Sequence, residues 1–153
     1  MALNPIDRLQ RDHANMGRVL ALIRLQLDLL ALNAKLDLTL LANSAYYMRK
    51  YPSVVHHPKE DLVFEKLLEL GGPARAEIER LESEHQELYR LEDQLIELTL
   101  AIQAGKIRTR AQLLQTGRFY LLTQAQHMRT EERVVFPAAL RRFKARDWRA
   151  IEA

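Results

Sequence analysis

The chain has 153 residues, 48% apolar and 28% charged, with a formal net charge of +3 and no cysteine. That composition excludes a disordered chain, and the weak charge argues against a nucleic-acid binder. It suits one soluble domain, residues 1–153, with a sizeable core. Without cysteine there are no disulfides, no thiolate catalysis and no cysteine-held iron–sulfur cluster, so any metal must sit on nitrogen and oxygen.

The opening MALNPIDRLQRDH is too polar for a secretory leader, and no segment approaches 18 uninterrupted apolar residues. A cytoplasmic protein with no membrane segment is expected. Asn4 caps the first predicted helix, with Pro5 at its first position. The apolar stripe of this helix runs Leu9, Met16, Leu20, Ile23, Leu27, Leu30, and Asn33 ends it. Asp37 caps a second helix that continues to Leu70, kinked at Pro52 and Pro58 because each removes a backbone donor. Gly71-Gly72-Pro73 reads as stop, turn and restart.

A third helix carries Ile78, Leu81, Leu88, Leu95 and Ile102 on one face and stops at Gly105. Thr109 with Gln112 forms a capping-box signature for a fourth helix, which runs to about Phe143. The basic cluster Arg141, Arg142, Lys144, Arg146, Arg149 reads as a solvated tail, with Phe143 and Trp148 free to pack on the bundle or on another subunit. Short connections make neighbouring helices antiparallel. The expected fold is all-α, an up-down-up-down four-helix bundle.

The five histidines follow the apolar stripes. His13 lies between Leu9 and Met16, and His56 in the inward register of helix two. His85 lies between Leu81 and Leu88, and His127 between Tyr120 and Val134. His57, rotated by about 100° from His56, falls outside the seam, as a solvent-facing or supporting residue. Glu60 and Glu131 each follow a histidine at i+4, on the same face. Two such pairs can set two carboxylates between two metal ions, completed by His13 and His85. Burying this set without metal would strand two charges. Imidazole and carboxylate donors suit iron, with manganese or zinc as substitutes. Glu82-Ser-Glu-His85 offers one Glu-x-x-His, but the matching position on helix four is Gln124, against a ferritin layout. Tyr120 and Gln124 share the inward face of helix four with His127, near enough to orient a ligand.

These residues are carried by Asp12-His13, HHPKEDLVF (56–64), ESEHQEL (82–88) and HMRTEERVVFPAAL (127–140). Together they resemble the hemerythrin-like (HHE cation-binding) family along nearly the whole chain. The pattern of four histidines and two glutamates is most similar to di-iron iron–sulfur cluster repair proteins and other bacterial hemerythrin-like domains. The resemblance implies a hemerythrin-like bundle with two iron ions, oxo- or hydroxo-bridged. It implies His13, His56, Glu60, His85, His127 and Glu131 as ligands, with Glu60 and Glu131 bridging. Oxygen-carrying hemerythrins have a fifth histidine one turn before the helix-three ligand, where this chain has Leu81. Both irons would then stay open, and air would oxidise the site rather than bind reversibly. His57, Glu82 or Glu84 are the alternatives for a further ligand.

The expected function is a non-haem di-iron protein that binds or reacts with dioxygen or nitric oxide, for sensing, scavenging or iron handling. The alternatives are a di-iron oxidase or peroxidase-like enzyme, cluster repair, and a metal-free helical interaction module. Whether the chain turns over a substrate, and which protein partner it meets, are left open by the sequence.

Overall fold

The computed structural model describes residues 4–72 and 74–152, so Pro73 of the predicted turn lies outside the described residues. Seven α-helices appear among them: α1 (Pro5–Ala31), α2 (Leu38–Tyr51), α3 (His57–Glu69), α4 (Arg75–Gln103), α5 (Arg110–Thr130), α6 (Phe136–Arg142) and α7 (Ala145–Glu152). Helices α2 and α3 are joined through a π-helical turn at Pro52–His56, and α5 and α6 through another at Glu131–Val135. The four rods of the bundle are therefore α1, α2–α3, α4 and α5–α6. Contacts run α1 to α2, α2 to α4, α4 to α5 and α5 to α1, closing the square of an up-down-up-down bundle. No helix among the described residues is long and apolar enough to cross a membrane.

The local signals act as expected at most ends. The Asn4 side chain accepts from Ile6 N–H at 3.0 Å, and Asp37 Oδ1 accepts from Leu40 N–H at 2.9 Å. Asn33 closes α1 with φ of 52°, a left-handed conformation that asparagine tolerates. Gly71 and Gly105 end their helices at φ of 62° and 85°. The capping box at Thr109 does not form. Ile107–Thr109 is instead a short 3₁₀ turn, and the Thr109 hydroxyl donates to Lys106 O at 2.8 Å.

One expectation gains detail and another changes in part. The second rod continues through its prolines, as expected, by way of the wide turn. Pro58 would crowd the carbonyl of Val54 in a regular α-helix. The wide turn sends the His57 N–H to Pro52 O instead, and the chain continues. The same device recurs where Phe136 N–H donates to Glu131 O just before Pro137. The basic side chains Arg141, Arg142, Lys144, Arg146 and Arg149 are exposed as expected, but the segment that carries them is not a free tail. Helix α7 docks on α1 and α3, its Asp147 accepts from Lys144 N–H at 2.8 Å, and Phe143 and Trp148 pack together at 4.7 Å against the bundle.

The interior holds two apolar clusters. One gathers Met16, Ile23, Leu27, Leu41, Met48, Leu88, Leu95 and Leu113. The other gathers Ile6, Leu9, Val63, Phe64, Leu67, Ile78, Leu81, Val135 and Phe136 at the opposite end. The histidines and the two glutamates form the layer between them.

Candidate metal centre

All five histidines lie in that layer, none more than 5% exposed, and Glu60 and Glu131 are fully buried. The wide turns and the four rods leave room there for residues on adjacent helix positions. Of the two expectations for His57, burial removes the solvent-facing one and leaves the supporting one. The His57 ring stacks on that of His85 at 3.8 Å, while His56 faces His13 at 4.8 Å. A regular helix separates consecutive residues by about 100°, and an interior this broad accepts both.

Two overlapping groups have ligand atoms mutually within 4.8 Å: His57, Glu60, His85 and His127, and His13, His56 and Glu60. The carboxylates divide between them. Glu60 Oε1 lies 3.0 Å from His56 Nε2 and 3.6 Å from His13 Nε2, and its Oε2 lies 3.8 Å from His85 Nε2. Glu131 Oε2 lies 3.2 Å from His13 Nε2, and its Oε1 lies 3.0 Å from His127 Nε2. Each carboxylate thus turns one oxygen towards each side of the layer.

These approaches lack hydrogen-bond geometry. Both oxygens of Glu60, both of Glu131, and Nε2 of His85 and of His127 are buried without a hydrogen-bond partner. Unpartnered buried carboxylates are costly. A cation among them satisfies every one, and nitrogen and carboxylate oxygen are the donors that divalent iron, manganese or zinc accept.

The outer nitrogens are held differently. His13 Nδ1 pairs with Glu132 at 2.9 Å, His127 Nδ1 with Glu84 at 3.0 Å, and His56 Nδ1 with Asp12 at 3.3 Å. His57 Nδ1 is in hydrogen-bond contact with the Tyr89 hydroxyl. An Nδ1–H held outward leaves Nε2 free to face the interior and makes it a better donor to a cation. Asp12 is itself fixed by the Tyr51 hydroxyl at 2.8 Å.

The electrostatics match. Burial pulls His13 and His127 down, but the facing carboxylates override it and raise both to about 10. Burial and the neighbouring His85 lower His57 to about 2, and burial with His127 lowers His85 to about 4. Glu131 is held below the usual carboxylate range: burial opposes this, and His127 and His13 prevail. Glu60 shifts down likewise, against burial and Glu131, through His56 and His13. Two protons thus sit where cation charge would.

The structure brings together His13, His56, Glu60, His85, His127 and Glu131, the six residues singled out in the sequence, and adds His57. Of the other candidates, Glu84 supports His127, whereas Glu82 stands exposed at the rim of a neighbouring cleft. Tyr120 and Gln124 are buried on the inward face as expected, but the Tyr120 hydroxyl donates to Glu92 rather than to a histidine. Glu92 went unnoticed in the sequence. Its signal was its place seven residues after His85, on the apolar seam between Leu88 and Leu95.

A bundle with a buried layer of imidazoles and carboxylates, opposed in this way, is a helical protein with a candidate metal centre. The chain belongs to the hemerythrin HHE cation-binding domain family, whose model matches residues 4–139. No curated protein and no solved structure matches it.

Proposed function

We propose that the chain is a single hemerythrin-like domain, residues 1–153, holding two iron ions and binding or reacting with dioxygen or nitric oxide. The supporting observation is the division of Glu60 and Glu131, each with one oxygen towards His13 and the other towards His85 or His127. That is the disposition of two bridging carboxylates. His13 and His56 would hold one ion, and His85 and His127 the other, joined by His57. Bound iron supplies electrons and an open coordination position, which is the chemistry that small diatomic ligands require.

The chain's own residues set the conditions. Asp12, Glu84 and Glu132 orient three of the imidazoles. The two apolar clusters exclude water above and below the layer. With His57 inside, the nitrogens would divide three and two, leaving fewer of them on the His13–His56 side. Leu81 is buried in the apolar cluster near Ile78, and His57, on the second rod, is the candidate for a fifth nitrogen.

The test is metal analysis of protein purified without chelators, followed by anaerobic reduction and exposure to nitric oxide or dioxygen. About two irons per chain and a visible spectrum that changes with either gas are expected. A chain that retains no metal, or whose spectrum ignores both gases, would overturn the reading.

A further inference from the structure

Beside the centre, between α3 and α4, lies a cleft of about 350 Å³. His57 and His85 form its floor, and Asp61, Glu65 and Glu82 its rim. Glu65 and Glu82 are exposed and Asp61 is half-buried. No lysine or arginine lines it, whereas the clefts towards α1 and α5 carry Arg24, Arg129 and Arg133. A cleft lined by one sign of charge concentrates ions of the opposite sign.

The rim alone would be only an acidic patch. The floor adds a second observation. His85 is 5% exposed, and its Nε2 has no hydrogen-bond partner. It is also the histidine without an outer partner among the described residues: the other four have Nδ1 held by Glu132, Asp12, Tyr89 and Glu84. The ring lies between cleft and centre, stacked on His57, with neither nitrogen held by a hydrogen bond.

We propose that this cleft is the loading port of the metal centre, where Asp61, Glu65 and Glu82 gather a divalent cation and His85 takes it inward. The proposal rests on the metal-site reading above. The carboxylates act before the ion is bound, so they govern the rate of loading and not the amount held.

The experiment measures metal uptake by the chelator-stripped full chain, with cobalt(II) as probe and its visible absorption followed by stopped flow. The cleft variant is Asp61→Asn, Glu65→Gln, Glu82→Gln. The control removes the same charge from α4 outside the cleft, by Glu79→Gln, Glu87→Gln, Glu97→Gln. At low salt the cleft variant should load at least about tenfold more slowly than the control, with the same final cobalt per chain. Added salt should slow the wild type and leave the cleft variant little changed. Glu82→Lys, at an exposed position, should slow loading without loss of helical circular dichroism. Equal rates in the two triple variants would overturn the port. A lower final amount in the cleft variant would overturn it too, since the carboxylates would then be ligands. A wild type that takes up no cobalt would instead sink the metal-site reading itself.

Discussion

The Tyr120 hydroxyl donates to Glu92 Oε1 across 3.0 Å in the bundle interior, and the other oxygen of Glu92 has no partner. Gln124 Nε2, on the same helix face as Tyr120, is also unpartnered. A buried polar column thus runs from Glu92 and Tyr120 through Gln124 towards His127. By helical rise, Glu92 stands about 10 Å along the axis from His85.

Burial raises Glu92 from 4.5 to about 8, against the pull of the Tyr120 hydroxyl and Arg49. Below pH 4.5 the folded and unfolded chains both keep this proton. Between that value and about 8 the unfolded chain releases it and the folded chain does not, so stability falls as pH rises. Glu92→Gln removes this slope and keeps an acceptor for Tyr120. Urea unfolding should show the variant gaining roughly 2–4 kcal/mol on the wild type between pH 4 and pH 8. Parallel pH profiles would refute the assignment.

His57→Ala and His56→Ala should each lower the bound metal from about two ions per chain towards one, and the double variant should hold almost none. Elemental analysis decides. Full occupancy in His57→Ala would return that residue to a supporting role.

Glu60 belongs to both ligand groups, so Glu60→Ala should empty both. Chelation should lower the Tm of the wild type by about 10 °C and leave Glu60→Ala unmoved. A chelator-sensitive Tm in the variant would show that the two groups bind independently of this carboxylate.

Glu84→Ala leaves His127 Nε2 in place but releases the ring from outside. Metal affinity should weaken by about 10- to 100-fold, while the number bound at saturation stays the same. Competition titration against a chelator of known affinity separates the two effects. An unchanged affinity would mean that packing alone orients His127.

The bundle was legible because its signals are local and redundant. Asn4, Asp37, Asn33 and the glycines mark the ends, and the leucine stripes set the inward faces. His13, His56, His85 and His127 could be found because each replaces an apolar residue in such a stripe. His57 was legible only as an alternative, since a stripe reads as one residue wide, and its width at this layer is a property of four rods together. The outer partners were hidden for a similar reason. Glu132 meets His13 across 119 positions of the chain, and Tyr89 meets His57 across 32. No periodicity records such pairs. Helix α7 was missed because its basic residues outweighed the few apolar positions that dock it.

The π turn at Pro52–His56 adds one residue to the second rod. From Leu41 to Leu67, both buried, there are 26 positions where seven α-helical turns need about 25. The extra residue acts as a phase shift. Upstream, Leu41, Ala45 and Met48 stay in step with one apolar cluster, and downstream Phe64 and Leu67 stay in step with the other. Deleting any single residue of 52–56 would let the rod close into a continuous α-helix. Were the turn to become regular α-helix with every residue kept, everything after it would rotate by about 100°, turning Glu60 off the layer and Phe64 off the core at once. A one-residue deletion instead removes the residue that the wide turn absorbs, so Leu41 and Leu67 stay in phase, and its cost falls on the turn itself, which accommodates Pro58. Substitutions at exposed Val54 should be absorbed, and a deletion there should strain the rod at Pro58 while leaving the far cluster in step.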